Sequence, residues 1–182
     1  NMPVISPAMR KILEATKDAP PIDRTIAVLS QAAEADPRAY NSTGEGRAAT
    51  GARIVRLVAA AMLQTEPSSD PLHKQIARVW APRHKHAEDL IRRALVLLAD
   101  HELNASTFTV RCAVSTGISL YDAMIAGLVA LKGPKHGGVG PLASKLVDQL
   151  RSGDIASLVR EKVALGERFP GFGHMVYRDG DP

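Results

Sequence analysis

Apolar residues return every three to four positions along nearly all of this chain, and proline, glycine or small polar residues cut that rhythm into separate pieces. The period is that of a helix with one buried face, whereas the strict alternation of a half-buried strand is nearly absent. Such a chain is confined to packed helices. Ser6-Pro7 reads as an N-cap followed by proline at the first helical position, opening a helix that runs to about Thr16. Pro20-Pro21 interrupts it. Ile22, Ile26 and Leu29 then recur at helical spacing as far as Asp36-Pro37, where proline disfavours a helical predecessor. The polar, glycine-containing stretch from Asn41 to Gly51 predicts a loop.

Ile54, Leu57, Val58, Ala61 and Met62 predict a helix to about Gln64, with Arg53 and Arg56 near its other side. Pro67 to Pro71 ends that element. From Lys85 to Ala99, Leu90, Ile91, Ala94, Leu95 and Leu98 form a stripe, and this helix delivers Asp100-His101-Glu102 at its C-terminal end. That position favours a cationic or hydrogen-bond-donating imidazole. Between Ser106 and Leu131, the spacing of Val110, Val114, Ile118, Tyr121, Ile125 and Leu128 predicts one long buried helix, rich in small residues that allow close packing. Gly133-Pro134 stops it. Leu142, Leu146 and Leu150 define the next helix, closed by Ser152-Gly153, and a last one through Ile155, Val159 and Val163 reaches about Arg168. Phe169 to Pro182 reads as a glycine-rich loop. No repeat of fixed period is visible, and the expected fold class is all-α.

With 182 residues the chain can bury one core and carry a small second lobe. Its formal charge of +4 is scattered rather than blocked, which argues only weakly for anionic ligands. Aromatic residues make up 4%, leaving few rings for base stacking, so nucleic acid is not an expected partner. The one cysteine, Cys112, excludes an internal disulfide framework and a four-cysteine zinc site and fits a reducing compartment. It reads as a small buried helical residue rather than a reactive thiol. The longest apolar stretch, Ala113 to Leu131, is interrupted by Ser115, Ser119 and Asp122 and falls short of a membrane span. With no basic and apolar signal pattern at the start, a cytoplasmic location is the expectation.

Chemistry concentrates at three histidines: His101 in Ala-Asp-His-Glu, His136 in Gly-Pro-Lys-His-Gly-Gly and His174 in Pro-Gly-Phe-Gly-His. A lone histidine is more often structural than catalytic, but these settings are unusual. His136 lies between a helix terminator and paired glycines just before a helix begins, where backbone N–H groups disfavour the protonated imidazole. A neutral imidazole there can donate to a carbonyl and stabilise an enolate. Gly171-Phe172-Gly173 before His174 is either a plain tight turn or a place where a ligand approaches backbone closely. Arg178, four residues beyond His174, can form paired bonds to phosphate or carboxylate. No metal is expected: His84 and His86 fall on different helix faces, and no HExxH spacing exists. Neither a dinucleotide fingerprint nor a P-loop is present.

The run from Ala99 to Thr107, the run from Gly127 through Lys-Gly-Pro-Lys-His-Gly-Gly138, and Phe169-Pro-Gly-Phe-Gly-His-Met-Val-Tyr-Arg178 with Asp181-Pro182 together resemble the citrate synthase family in content, order and spacing. The resemblance covers roughly residues 85 to 182. It implies condensation of an acyl thioester, usually acetyl-CoA, with a 2-oxo acid, usually oxaloacetate, followed by hydrolysis of the adduct. It further implies His136 on the thioester carbonyl, His174 polarising and protonating the ketone, and His101 binding the oxo acid with help from Asn104. Arg178 would contact a CoA phosphate, and Gly171, Phe172 and Gly173 would pass beside the adenine. No cofactor beyond the CoA substrate is implied. Family members pair through large-domain helices, so a homodimer or higher homo-oligomer is expected, with residues 1–136 as part of the helical large domain and 137–182 as the start of the small one.

A thioester α-proton is very weakly acidic, so a carboxylate can remove it only if the charge appearing on oxygen is stabilised at once. Holding both substrates in contact replaces an improbable encounter. In the family the base is an aspartate downstream of the His174 motif. Asp100, Glu102, Asp122, Asp179 and Asp181 do not match its position, so the 182 residues by themselves are expected to lack synthase activity. Alternatives are a noncatalytic acyl-CoA or oxo-acid binding module with a regulatory role, and a helical oligomerisation module. Lys135 stands where the family more commonly has leucine, and Val139-Gly140-Pro141 where it often has Ala-Asn-Glu.

Overall fold

The computed structural model describes residues 2–100 and 102–173, with the Ser152 side chain left aside. Nine α-helices and one 3₁₀ turn, with no strand, make up the described residues: α1 (Pro7–Ala15), α2 (Pro21–Ala35), α3 (Gly44–Leu63), α4 (Leu72–Trp80), α5 (Ala87–Leu97), α6 (Ala105–Ser115), α7 (Leu120–Leu131), the 3₁₀ turn Gly137–Val139, α8 (Gly140–Ser152) and α9 (Ile155–Ala164). The all-α expectation holds. The chain divides into two compact units, Asn1–Ala130 and Leu131–Pro182. None of the described helices is long and apolar enough to cross a membrane.

Local chemistry explains where the helices start. The Ser6 hydroxyl accepts from the Met9 amide at 3.2 Å, satisfying one of the donors that a helix start leaves unpaired, with Pro7 at the first position. Asp154 caps α9 in the same way, accepting from the Ala156 amide at 3.0 Å. The predicted loop over 41–51 is mostly helix instead. Thr43 caps α3 by accepting from the Gly46 amide at 3.0 Å, and Asn41 accepts from both the amide and the hydroxyl of Thr43. A polar cap followed by Gly-Glu-Gly starts a helix here, although its composition is that of a loop. The short helix α4 has no counterpart among the sequence expectations.

In the first unit, successive helices α1 to α5 pack pairwise in chain order. The stripe Arg24, Thr25, Val28, Leu29 and Ala32 of α2 is buried, as is the stripe Thr50, Arg53, Ile54, Leu57, Ala60 and Ala61 of α3. Fully burying Val28 or Leu29 contributes about 1.5–3 kcal/mol each relative to leaving it in water. Arg24 is buried without a carboxylate. Its guanidinium donates to the carbonyls of Ala61 (2.7 Å) and Met62 (3.1 Å) at the C-terminal end of α3, and to those of Lys17 and Ala19 (3.1 Å each) between α1 and α2. The charge thereby sits at the negative end of α3.

The single long helix expected from Ser106 to Leu131 is two. Gly117 adopts φ +84°, a left-handed conformation that ends α6, and α7 restarts at a polar pair. The Ser119 hydroxyl donates to Asp122 at 2.6 Å and accepts from the Asp122 amide at 3.1 Å. Apolar periodicity runs through this break and hides it. The two helices cross closely, because a Cβ on Gly127 would lie 2.5 Å from Val110 Cγ2. No residue of α6 is buried, and Cys112 on it is exposed, contrary to the buried reading. The α5 stripe also faces outward in part, with Leu90, Leu95 and Leu98 exposed.

Candidate functional site

His136 occupies a turn fixed almost entirely by backbone. The Gly133 carbonyl accepts from the amides of both His136 (2.9 Å) and Gly138 (3.0 Å), and the His136 carbonyl accepts from the Val139 amide at 3.2 Å. The two glycines are needed for space rather than for positive φ. A Cβ on Gly137 would meet the Leu131 carbonyl oxygen at 2.7 Å, and one on Gly138 would meet the Lys132 carbonyl oxygen at 2.5 Å. Backbone cannot yield as a flexible side-chain tip can, so only glycine permits this turn. His136 caps the 3₁₀ turn, which runs straight into α8. The imidazole therefore stands just before a helix start, half-buried, as its sequence setting implies.

The Phe169–Gly173 segment belongs to the same unit. The Phe172 amide donates to the Phe169 carbonyl at 3.2 Å, and Gly171 and Gly173 take φ of +86° and +79°. A Cβ on Gly171 would come within 3.3 Å of Ala143 in the first turn of α8, so this segment and the His136 turn both border the N-terminal part of that helix. The Phe172 ring is exposed, leaving its face open to a planar partner. Of the two descriptions of the sequence, the structure shows the tight turn.

Asn104 lies in the first unit as the N-cap of α6. Its amide oxygen accepts from the Thr107 amide at 2.9 Å and from the Ser106 hydroxyl at 3.0 Å. The Asn104 side chain is thereby engaged in starting α6. His101, His174 and Arg178 lie outside the described residues. Among the described residues no cluster of three or more His, Cys, Asp or Glu could hold a metal.

The first unit also contains a buried polar cluster that sequence reasoning missed. Arg53, placed by the helical pattern on the outer side of α3, is 8% exposed. Its Nη2 donates to Asp36 Oδ2 and to Thr50 Oγ1, both at 2.8 Å, and the Tyr121 hydroxyl donates to the same Asp36 oxygen at 2.9 Å. Burial pushes the Asp36 carboxyl up, but the Arg38 amide, the Tyr121 hydroxyl and the Arg53 charge outweigh it and hold the group below its ordinary value. Burial raises the Tyr121 phenol, reinforced by the negative Asp36. Arg53 Nε, also buried, has no hydrogen-bond partner. No motif marks these residues, because charge on a helical pattern normally signals solvent.

The concavities of the first unit include an apolar one and a polar one. One is an apolar groove of about 210 Å³ between α3 and α4, ending at Trp80. The other is a polar recess of about 290 Å³ lined by Arg38, Asn41, Thr43 and Arg53. Neither includes a residue that the motifs nominate, and neither gathers the acid, base and donor groups that a condensation needs. The motif turns of the second unit remain the site candidate.

Comparison with known proteins identifies the family. Residues 2–182 match the family described as citrate synthase, C-terminal domain. Citrate synthase 2 of Bacillus subtilis is 43% identical over 95 residues, which are 52% of this chain and 26% of that protein. The 2-methylcitrate synthase of Shewanella oneidensis is 38% identical over 90 residues, 49% of this chain and 24% of that protein. Citrate synthase of Deinococcus radiodurans is 32% identical over 162 residues, 81% of this chain and 43% of that protein. The chain thus matches 24% to 43% of the length of these relatives. Among solved structures, the ternary complex of Thermoplasma acidophilum citrate synthase with carboxymethyl coenzyme A and oxaloacetate matches with a TM-score of 0.74 at 27% identity, covering 96% of this chain and 49% of that one. From its helices, its glycine-bounded turns and a match that runs nearly end to end, the chain belongs to the citrate synthase family.

Proposed function

We propose that the chain serves the condensation of an acyl-CoA thioester with oxaloacetate, with His136 as the donor to the thioester carbonyl. The observation that carries this reading is the His136 turn, whose imidazole is held before a helix start by glycines that no other residue can replace. Membership of the family and the likeness to an enzyme bound to carboxymethyl coenzyme A and oxaloacetate support it. As negative charge grows on the thioester oxygen, a donor already in place stabilises it without reorganisation. His174 acts on the ketone, and His101 and Asn104 bind the oxo acid. Arg178 meets a CoA phosphate, and Gly171 to Gly173 pass beside the adenine with Phe172 offering its ring. Acetyl-CoA as the usual donor, a homodimeric assembly, a cytoplasmic location and a place in the tricarboxylic acid cycle complete the proposal.

Because the 182 residues alone are expected to lack the base, the test follows oxaloacetate-dependent release of CoA from acetyl-CoA, with a thiol reagent, in a protein that carries these residues together with the downstream aspartate, beside calorimetric binding of acetyl-CoA to the same protein. Removing a preorganised donor costs about 10²–10³ in rate. His136→Ala is expected to lose that much release while the helical circular dichroism stays unchanged. Equal release from the variant would overturn the assignment of His136. Binding of acetyl-CoA with no release in the wild type would instead favour a binding module.

A further inference from the structure

A CoA thioester can reach from His136 to the Phe169–Gly173 segment only if the two are correctly spaced, and two contacts in the second unit fix that spacing. At the middle of the segment, Gly171 takes φ +86° and lies so close to α8 that an added Cβ would come within 3.3 Å of the Ala143 methyl. Ala143 sits in the first turn of the helix that follows the His136 turn without a break. The segment therefore rests on the same element that carries the imidazole. On its approach, the chain leaves α9 through a closed cap. The Gly166 amide donates to the Val163 carbonyl at 3.0 Å, the Glu167 amide donates to the Lys162 carbonyl at 2.9 Å, and Gly166 takes φ +66°. These are the two bonds and the left-handed residue of a Schellman ending. Where such an ending usually has a hydrophobic contact it has an ion pair, with Lys162 Nζ donating to Glu167 Oε2 at 2.7 Å and the lysine side chain 19% exposed. Only Arg168 separates Glu167 from Phe169. A pair with a half-exposed partner contributes little to global stability; what it fixes is the direction in which the chain leaves the helix.

Resting on the reading of His136 as the thioester donor and of Gly171 to Gly173 as the segment beside the adenine, we propose that Ala143 and the Lys162–Glu167 pair are positioning residues that set the reach from the thioester to the nucleotide end of CoA. The ligand is long and flexible, and its two ends are held at once only where the spacing of their partners matches the arm between them. With α8 as the common base and the end of α9 as a second strut, that spacing exists before the ligand arrives, which lowers the ordering cost of binding. Neither Ala143 nor the ion pair touches the reacting atoms. Their effect is confined to ligands that carry the nucleotide.

The test uses the release assay and the protein described for His136→Ala, with acetyl-CoA and acetylpantetheine, which lacks the nucleotide, as paired substrates. Ala143→Leu wedges a larger side chain under Gly171, Lys162→Gln removes the ion pair, and Lys162→Arg keeps it. Misplacing the Phe172 ring forfeits one aromatic contact, so the first two variants are expected to raise KM for acetyl-CoA about two- to tenfold. Their kcat should be nearly kept, and kcat/KM for acetylpantetheine should not change. Lys162→Arg should behave as wild type. Equal losses on both substrates would mean a general loosening of the unit and overturn the proposal, as would no loss on either. Circular dichroism checks that Ala143→Leu folds, and Lys162→Gln, at a partly exposed position, carries the test independently. If the wild type turns over neither substrate, the condensation reading falls first and this one with it, a result distinct from loss without selectivity.

Discussion

The cluster of Asp36, Arg53 and Tyr121 and the turn around His136 are both rigid, but for opposite reasons. The first is held by side chains that meet across long stretches of chain, with Arg53 seventeen residues from Asp36 and Tyr121 eighty-five. The second is held by backbone bonds among residues 133 to 139, in space that a single Cβ would fill. The side-chain cluster tests the packing of the whole unit, whereas the turn tests only itself. Stability in this protein should therefore follow the first region and ligand binding the second.

The strongest challenge to that contrast is to strip the charge from one side of the cluster. Arg53→Ala leaves Asp36, nine-tenths buried, with only the longer contact to the exposed Arg38 at 3.4 Å as an ion pair, so the loss should approach the lower end of the about 3–5 kcal/mol that breaking a buried pair typically costs. Urea denaturation should show that loss, while a comparable loss from Gly138→Ala would erase the distinction. Gly138→Ala is expected to cost about 1–3 kcal/mol locally through steric crowding against the Lys132 and Gly133 carbonyls. It should be read as faster amide exchange of residues 133 to 139 and weakened acetyl-CoA binding, with exchange in α2 and α3 unaltered. Tyr121→Phe comes next. It removes one hydrogen bond to a charged acceptor, worth about 1.5–3 kcal/mol, and calorimetric melting should show it.

The acid dependence of stability gives a smaller but more specific test. Because Asp36 is held below its ordinary value in the folded state, the unfolded chain binds its proton first, and stability falls as pH falls. The contribution is complete above the ordinary aspartate range and is lost as pH drops through that range to the lower folded value. Asp36→Asn should flatten this part of the stability profile by denaturant titration. An unchanged slope would mean that Asp89 and Asp154, also held low by their hydrogen bonds to Arg92 and Ser157, carry the acid sensitivity instead.

The same contrast decides what could be read from sequence. Cap chemistry spans three residues, so Ser6-Pro7 announced α1, and the Gly-Pro-Lys-His-Gly-Gly run marked a turn before a helix. Arg53 was misplaced because a helical pattern assigns charge to water, and its counter-charge lies on another element. The helix expected across 106–131 failed on Gly117, whose single left-handed φ breaks the backbone without disturbing the apolar rhythm on either side. The start of α3 failed on composition, since Asn41 and Thr43 favour loops until they cap a helix. For the site, the local turns at His136 and Gly171 were legible. The capping bonds of Asn104 could have been anticipated from Asn-Ala-Ser-Thr, a polar cap before a helical run.

The bond from Tyr121 to Asp36 also bears on the order in which the first unit assembles. Neighbouring helices α1 to α3 meet through contacts that close short loops, whereas this bond closes one of eighty-five residues and gains nothing until the ends are already together. Tyr121 should consequently join after the rate-limiting step. In stopped-flow experiments Tyr121→Phe should speed unfolding and leave refolding nearly unchanged, while Leu29→Ala in the α2–α3 contact slows refolding. If Tyr121→Phe slowed refolding instead, the distant hydroxyl would belong to the folding nucleus, and the helices α1 to α3 would not form ahead of it.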